Sequence, residues 1–301
     1  MRFDQSFGTD TANLIQELGQ PNAIATKDPT DGGYICPRTM DHTPLKDQFA
    51  VVCGSTQGIG RAVALELARL GASVTLLARD AKALATVQRE LASTAGQQHH
   101  TLACDMSNTE GLHAALSEHT AKYRTDILVN NTGGPSPGPA HEAETSAFLA
   151  AFTQHLIGFQ TIVRSVVPGM KERKHGRIIN VISTSVKQPL PNLGVSNTIR
   201  GAVANWGKTL ANELGPYNIT VNNVLPGATE TDRLTAIISN KAQKTGASLE
   251  DVRAEMLAEI PLRRFARPEE IAAAVAFLVG PNGAYINGIN LPVDGGRTAC
   301  L

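Results

Sequence analysis

The stretch CGSTQGIG, Cys53 to Gly60, restricts the fold of this chain more than any other. It joins an apolar run over 49–53 to a helix-like run over 61–70 that Gly71 ends. Glycines at the passage from strand to helix let the backbone come close to a diphosphate. The opening turn of the helix then offers N–H groups and positive potential. The candidate contacts are Gly54, Ser55, Gln57, Gly58, Ile59 and Gly60. Three glycines in a tight turn also occur for structural reasons alone, so the argument rests on the strand before them and the apolar helix behind them.

Beyond this turn the chain keeps alternating. Strand-like runs at 73–78, 101–104, 126–130, 176–183, 218–225 and 289–295 are separated by helix-like stretches, among them 82–95, 109–123, 144–171, 194–214 and 269–278. Such alternation predicts an α/β fold, a single doubly wound parallel sheet of Rossmann type with helices on both faces. Nothing between 49 and 298 reads as a linker, so 45–301 is expected to form one domain. Residues 1–44 are richer in Asp, Thr, Gly and Pro, with one candidate helix over 11–18 capped by Asp10 or Thr11. They read as an N-terminal extension that packs on the domain or on a partner subunit, with a flexible tail as the alternative.

Charge and cysteine usage exclude other classes. Lys plus Arg and Asp plus Glu both number 27, a formal net charge of zero, which argues against a broadly basic nucleic-acid surface. Cys36, Cys53, Cys104 and Cys300 are scattered with no CxxC pair, so free thiols and no metal centre are expected. The first residues lack the apolar segment of a secretory signal, and no run approaches a membrane-spanning length. A cytoplasmic protein without membrane or nucleic-acid partners is the expectation.

The second strand ends in Ala78, followed by Arg79 and Asp80. A carboxylate at the first of these positions would hold the adenosine ribose diol. An arginine just beyond it pairs instead with a 2′-phosphate, which favours NADP over NAD. Arg79 as a solvated residue at the start of a helix is the alternative, and Asp80 reads as the N-cap of that helix.

These residues resemble the short-chain dehydrogenase/reductase family over 46–297. The family's TGxxxGxG turn matches Cys53 to Gly60, with Cys53 replacing Thr. Its Asp near adenine matches Asp105, followed by Met106, and its NNAG matches Asn130-Asn131-Thr132-Gly133. Its strand-end serine matches Ser183, its PG pair Pro226-Gly227, and its nicotinamide-holding Thr matches Thr231. A terminal DGG stands at Asp294-Gly295-Gly296. The resemblance implies hydride transfer between NADP(H) and a carbonyl or alcohol on a small-molecule substrate. It also implies a homodimer or homotetramer paired through the helices at 144–171 and 194–214. Ala202, Ala204, Gly207 and Ala211 are read as the small residues that allow that packing.

The catalytic positions depart from the family. Its Tyr falls on Ser196 and its Lys on Arg200, one helical turn apart and on one face. Its relay Asn falls on His155. A serine hydroxyl is a poor proton donor without a base beside it, and arginine keeps its charge throughout. The expected catalytic set is therefore Ser183, His155, Ser196 and Arg200, with His155 as the titratable group, or else a histidine satisfied by the backbone or packed on a helix face. His141 is expected in a loop, with a place at the substrate mouth as the alternative. Two further readings stand beside a redox enzyme: an isomerase, dehydratase or cyclase using His155, and a non-catalytic nucleotide-binding protein.

Overall fold

The computed structural model describes residues 43–300. The candidate helix over 11–18, nearly all of the extension, and Cys36 lie outside the described residues.

The strands and helices alternate from β1 (Phe49–Cys53) through α1 (Gly58–Arg69), β2 (Ser73–Ala78), α2 (Ala81–Glu90), β3 (His100–Ala103), α3 (Thr109–Lys122) and β4 (Ile127–Asn130). Then come α4 (Thr145–Phe152), a π-helical turn (Thr153–Ile157), α5 (Gly158–Arg173), β5 (Gly176–Val181) and α6 (Gly194–Leu214). The order closes with β6 (Ile219–Pro226), α7 (Asp232–Thr245), α8 (Leu249–Ala258), α9 (Pro268–Val279) and β7 (Asn290–Val293). All seven strands are parallel, in the order β3-β2-β1-β4-β5-β6-β7. The strand order reverses between β1 and β4, which opens a crevice at the carboxyl ends of those two strands.

Alternation along each strand feeds two cores, one on each face of the sheet. Ala50 and Val52 of β1 point toward Val63, Leu67, Val275 and Leu278 of α1 and α9. Val51 and Cys53 point toward Leu112 and Leu116 of α3, Phe159 of α5 and Val203 of α6. The sequence reading of one doubly wound sheet covered on both faces is what the structure has.

Several boundaries move from their expected places. The helix after the glycine turn begins at Gly58 rather than Arg61, because the last two glycines of the turn already form its first turn. The helix expected over 82–95 stops at Glu90, where Leu91 turns extended. The long region at 144–171 is broken by the π turn. Thr145–Arg173 is long and apolar enough to cross a membrane by length and composition, contrary to the sequence expectation. Part of it is packed in the protein, with Phe159, Ile162 and Met170 buried in the core against the sheet.

A row of four asparagines crosses one end of the sheet. Asn130, Asn180, Asn223 and Asn290 are register neighbours on β4, β5, β6 and β7. Each Nδ2 donates to the next Oδ1, at 2.9, 2.9 and 2.8 Å. Gly207 lies against this row, where a Cβ would come within 2.8 Å of Asn223 Oδ1. This corrects the sequence reading of the small residues on α6. Ala204, Gly207 and Ala211 are buried inside the chain, so their smallness serves internal packing of the helix on the sheet.

Candidate active site

The glycine turn occupies the crevice. Gly54 and Gly58 adopt φ of 59° and 53°, a region that residues with a Cβ rarely enter. A Cβ on Gly60 would stand 2.1 Å from the Gly54 carbonyl oxygen, so the third glycine is required by contact. Gln57 is the N-cap of α1 but makes no side-chain cap. By contrast Asp80, Asn108, Thr231 and Ser248 all cap the helices they precede. The first-turn N–H groups of α1, like those of α4 and α6, meet no capping side chain and can receive an anion. Ser55 is buried, and its hydroxyl is directed at the Leu77 carbonyl, 3.5 Å away.

The neighbouring loops close around this turn. The Asn131 amide donates to the carbonyls of Cys53 and Gly54 at 3.2 and 3.3 Å. A Cβ on Gly133 would meet nothing within 4 Å, so open space lies beside the end of β4. Thr231 reaches Gly58 from the other side, with its Cγ2 3.1 Å from where a Gly58 Cβ would stand. Thr231 Oγ1 donates to the Thr229 carbonyl at 3.2 Å. Gly227, after Pro226, abuts Asp294 so closely that a Cβ would fall 2.7 Å from its Cα.

At the far end of the crevice Arg79 projects into solvent, its side chain 80% exposed and 4.0 Å from Asp105. Asp105 Oδ1 accepts from the Ser107 N–H and hydroxyl at 2.9 and 2.7 Å. Those bonds, with a smaller contribution from Arg79, hold its carboxyl below the usual range. Met106 beside it is buried. Asp80 caps α2 through Lys82 and Ala83, as its sequence position suggested.

Ser196 and Arg200 share the buried face of α6. Arg200 Nη1 donates to the Val181 carbonyl at 3.1 Å, two residues before Ser183, while its buried Nε has no partner. Burial, then the nearby Arg233, pull this guanidinium down to about 10, still a full cation at neutral pH. Ser183 Oγ accepts from the Ser185 N–H at 3.1 Å, which leaves its own proton free to donate outward.

His155 is the titratable candidate that the sequence offered. It sits on the π turn, fully buried, with neither ring nitrogen in a hydrogen bond. Its ring meets Phe159 edge-on at 6.1 Å. Burial, then Arg200 and Arg233, push its pKa down to about 3, so the ring is neutral at physiological pH. A neutral ring is a poor proton store, and its burial against Phe159, with the Gly133 backbone raising its pKa slightly against the other effects, fits the alternative of a packed histidine. His141 stands exposed in a short 3₁₀ turn, 3.4 Å from Glu142.

Sequence reasoning missed two contributors. Arg233, at the start of α7, donates from Nη1 and Nη2 to the carbonyls of Gly134 and Pro135 at 3.0 and 3.2 Å. Gln154 in the π turn donates to Thr132 Oγ1 at 2.7 Å. Both hold the glycine-proline loop over the end of β4. A π turn has no sequence signature of its own, and Arg233 lay in a stretch that reads as variable and polar.

Residues 54–298 match a family model described as enoyl-(acyl carrier protein) reductase. The NADPH-dependent reductase BacG of Bacillus subtilis is 31% identical over 256 residues, covering 84% of this chain and 98% of that protein. The 7alpha-hydroxysteroid dehydrogenase of Escherichia coli K12 is 30% identical over 257 residues, covering 85% and 96%. The solved structure of L-sorbose reductase from Gluconobacter frateurii, complexed with NADPH and L-sorbose, superposes with a TM-score of 0.81 at 31% identity. It covers 87% of this chain and 100% of that one.

Proposed function

We infer that this chain, which belongs to the short-chain dehydrogenase/reductase family, is a divergent NADP(H)-dependent oxidoreductase acting on the carbonyl or alcohol of a small molecule. The observation that carries this reading is the uncapped first turn of α1, opening into the crevice between β1 and β4.

The residues around that crevice fit the cofactor in order. Gly54, Ser55, Gln57, Gly58, Ile59 and Gly60 would hold the diphosphate. Arg79 would pair with the 2′-phosphate, its exposed guanidinium held only by a long 4.0 Å contact to Asp105. Asp105 and Met106 would flank the adenine. Asn131, Gly133, Pro226, Gly227 and Thr231 would border the nicotinamide. When bound, NADP(H) supplies or accepts the hydride.

The protein's own contribution is to hold the substrate oxygen. Ser183 donates its free hydroxyl proton to that oxygen as a hydrogen bond. Arg200 supplies fixed positive charge where negative charge develops. Ser196 leaves room where the family has a phenol ring. With no Tyr–Lys pair, the proton that completes carbonyl reduction comes from water. Neutral His155 holds shape at the π turn. Its low basicity disfavours an isomerase, dehydratase or cyclase run through this ring.

Residues 1–44 are an extension to the catalytic domain in this reading. The chain acts in the cytoplasm as a homodimer or homotetramer, without nucleic-acid or membrane partners. Leu149, Phe152 and Ile157, exposed and apolar along α4 and the π turn, support the oligomer. Calorimetry with NADPH and NADH, followed by NADPH oxidation over a panel of ketones, aldehydes and quinones, tests the activity. Binding with turnover is expected; a folded chain that binds neither nucleotide overturns the reading.

A further inference from the structure

We propose that Arg200 and Arg233 form an anion site beside the reacting carbonyl, so that the substrate is a carbonyl compound bearing a carboxylate, such as a 2-oxo acid, or the matching hydroxy acid. The proposal deepens the oxidoreductase reading and rests on it for the reaction, but not for the binding.

The two guanidinium groups meet at one point. Arg233 Nη2 lies 2.7 Å, and Arg200 Nη2 3.4 Å, from where a Gly134 Cβ would stand. They arrive from different elements, Arg200 from α6 and Arg233 from α7. Among the described residues, no carboxylate pairs with either one. Two like charges brought together without a counter-charge repel, and burying one of them adds a desolvation cost. The fold keeps the arrangement nonetheless, with Arg200 only 7% exposed.

The hydrogen-bond inventory shows what is missing. Arg200 carries five N–H donors, and its one bond among the described residues runs from Nη1 to the Val181 carbonyl. Its buried Nε is unpartnered, so the Nε–Nη2 edge is free. That edge is the fork that takes a carboxylate in two parallel bonds. Arg233 is occupied on one side by the Gly134 and Pro135 carbonyls, which fix its head over the loop while its charge faces Arg200. His155, the other titratable group facing this point, is neutral and supplies no counter-charge.

The location selects the ligand. Arg200 is tied two residues before Ser183, so an anion on its free edge lies close to the oxygen that Ser183 would hold. A 2-oxo acid has its carboxylate one bond from the carbonyl, which suits that separation. Reduction adds a hydride at the carbonyl carbon and a water-derived proton at the oxygen, giving a 2-hydroxy acid and NADP⁺.

Phenylglyoxylate and its methyl ester form a matched pair of probes, alike in the carbonyl and different in charge. With the full chain and NADPH, kcat/KM for the acid is expected to exceed that for the ester by at least about tenfold, the worth of a charge-assisted bond. Arg233→Gln should collapse this preference toward one, mainly through KM for the acid; Arg200→Gln should collapse it too while lowering kcat for both probes, and Arg200→Lys should keep part of it. Equal use of acid and ester by the wild type overturns the proposal.

A calorimetric arm reads binding alone, with NADPH and phenylglyoxylate titrated separately into wild type and Arg233→Gln, whose altered residue is surface-exposed. Acid binding weakened about tenfold in the variant, with NADPH affinity retained, supports the site even if no turnover is found. NADPH affinity falling in parallel assigns the arginines to the cofactor's phosphates and overturns the proposal. A chain that binds NADPH but not the acid overturns it as well. A chain that binds the acid but neither nucleotide keeps the anion site and removes the oxidoreductase reading.

Discussion

The side-chain amide of Asn131 bonds the carbonyl of Gly54 at 3.3 Å, linking two loops that are 77 residues apart in the chain. The same nitrogen reaches Cys53 at 3.2 Å. One amide therefore sets the spacing between the glycine turn after β1 and the loop after β4, on either side of the point where strand order reverses.

Replacing Asn131 with Leu removes both bonds and leaves two carbonyls short of a donor. A loss of about 1–3 kcal/mol is expected for partly buried groups of this kind. Thermal unfolding should show a lowered midpoint, and NADPH binding should weaken more than the stability loss alone explains. A variant with wild-type NADPH affinity would remove Asn131 from the cofactor site.

The order of elements was legible in the sequence because each strand is a short apolar run and each helix carries its own apolar stripe. The cofactor crevice was legible for a related reason: Gly54 and Gly60 are required by close backbone contact and Gly58 by its positive φ, and backbone requirements leave an imprint on residue identity. The asparagine row was not, since Asn180 and Asn223 look like interruptions of strands until register sets them side by side. Nor was the electrostatic state of His155. Its low proton affinity comes from burial, then from Arg200 and Arg233, which join it only in three dimensions.

Arg79 separates the two dinucleotides. Its exposed guanidinium can pair with a 2′-phosphate, and the bond is worth about 1.5–3 kcal/mol at low salt. Arg79→Gln should raise the Kd for NADPH by about ten- to a hundredfold and leave NADH little changed. Added salt should narrow the wild-type preference in the same direction. Equal binding of both nucleotides by the wild type would exclude Arg79 from that role.

Ser183 tests how the substrate oxygen is held. Its oxygen is engaged by the Ser185 N–H, so removal of the hydroxyl costs a local turn bond as well as the outward donor. Ser183→Ala should lower kcat by about 10²-fold, the scale for losing one donor to a developing oxyanion, with the Kd for NADPH retained. A kcat within twofold of wild type would mean that another group holds the oxygen.

His155 makes a prediction about acid stability. Its ordinary pKa of 6.5 is pushed to about 3 in the fold, so the folded state keeps it neutral while the unfolded state takes up a proton below about pH 6.5. Stability from this group is complete above that pH and is lost progressively as pH falls toward 3. The loss reaches about 2 kcal/mol by pH 5, at roughly 1.4 kcal/mol per pH unit. His99, His100, His119 and His175 are also lowered, chiefly by burial, and add to the slope in the same sense. Urea unfolding of wild type and His155→Gln at pH 7 and pH 5 isolates the share of His155, because Gln cannot titrate. The variant should lose about 2 kcal/mol less between the two pH values than the wild type does, whatever its stability at pH 7. Equal losses would mean that the imidazole reaches solvent in the folded chain and takes up its proton there.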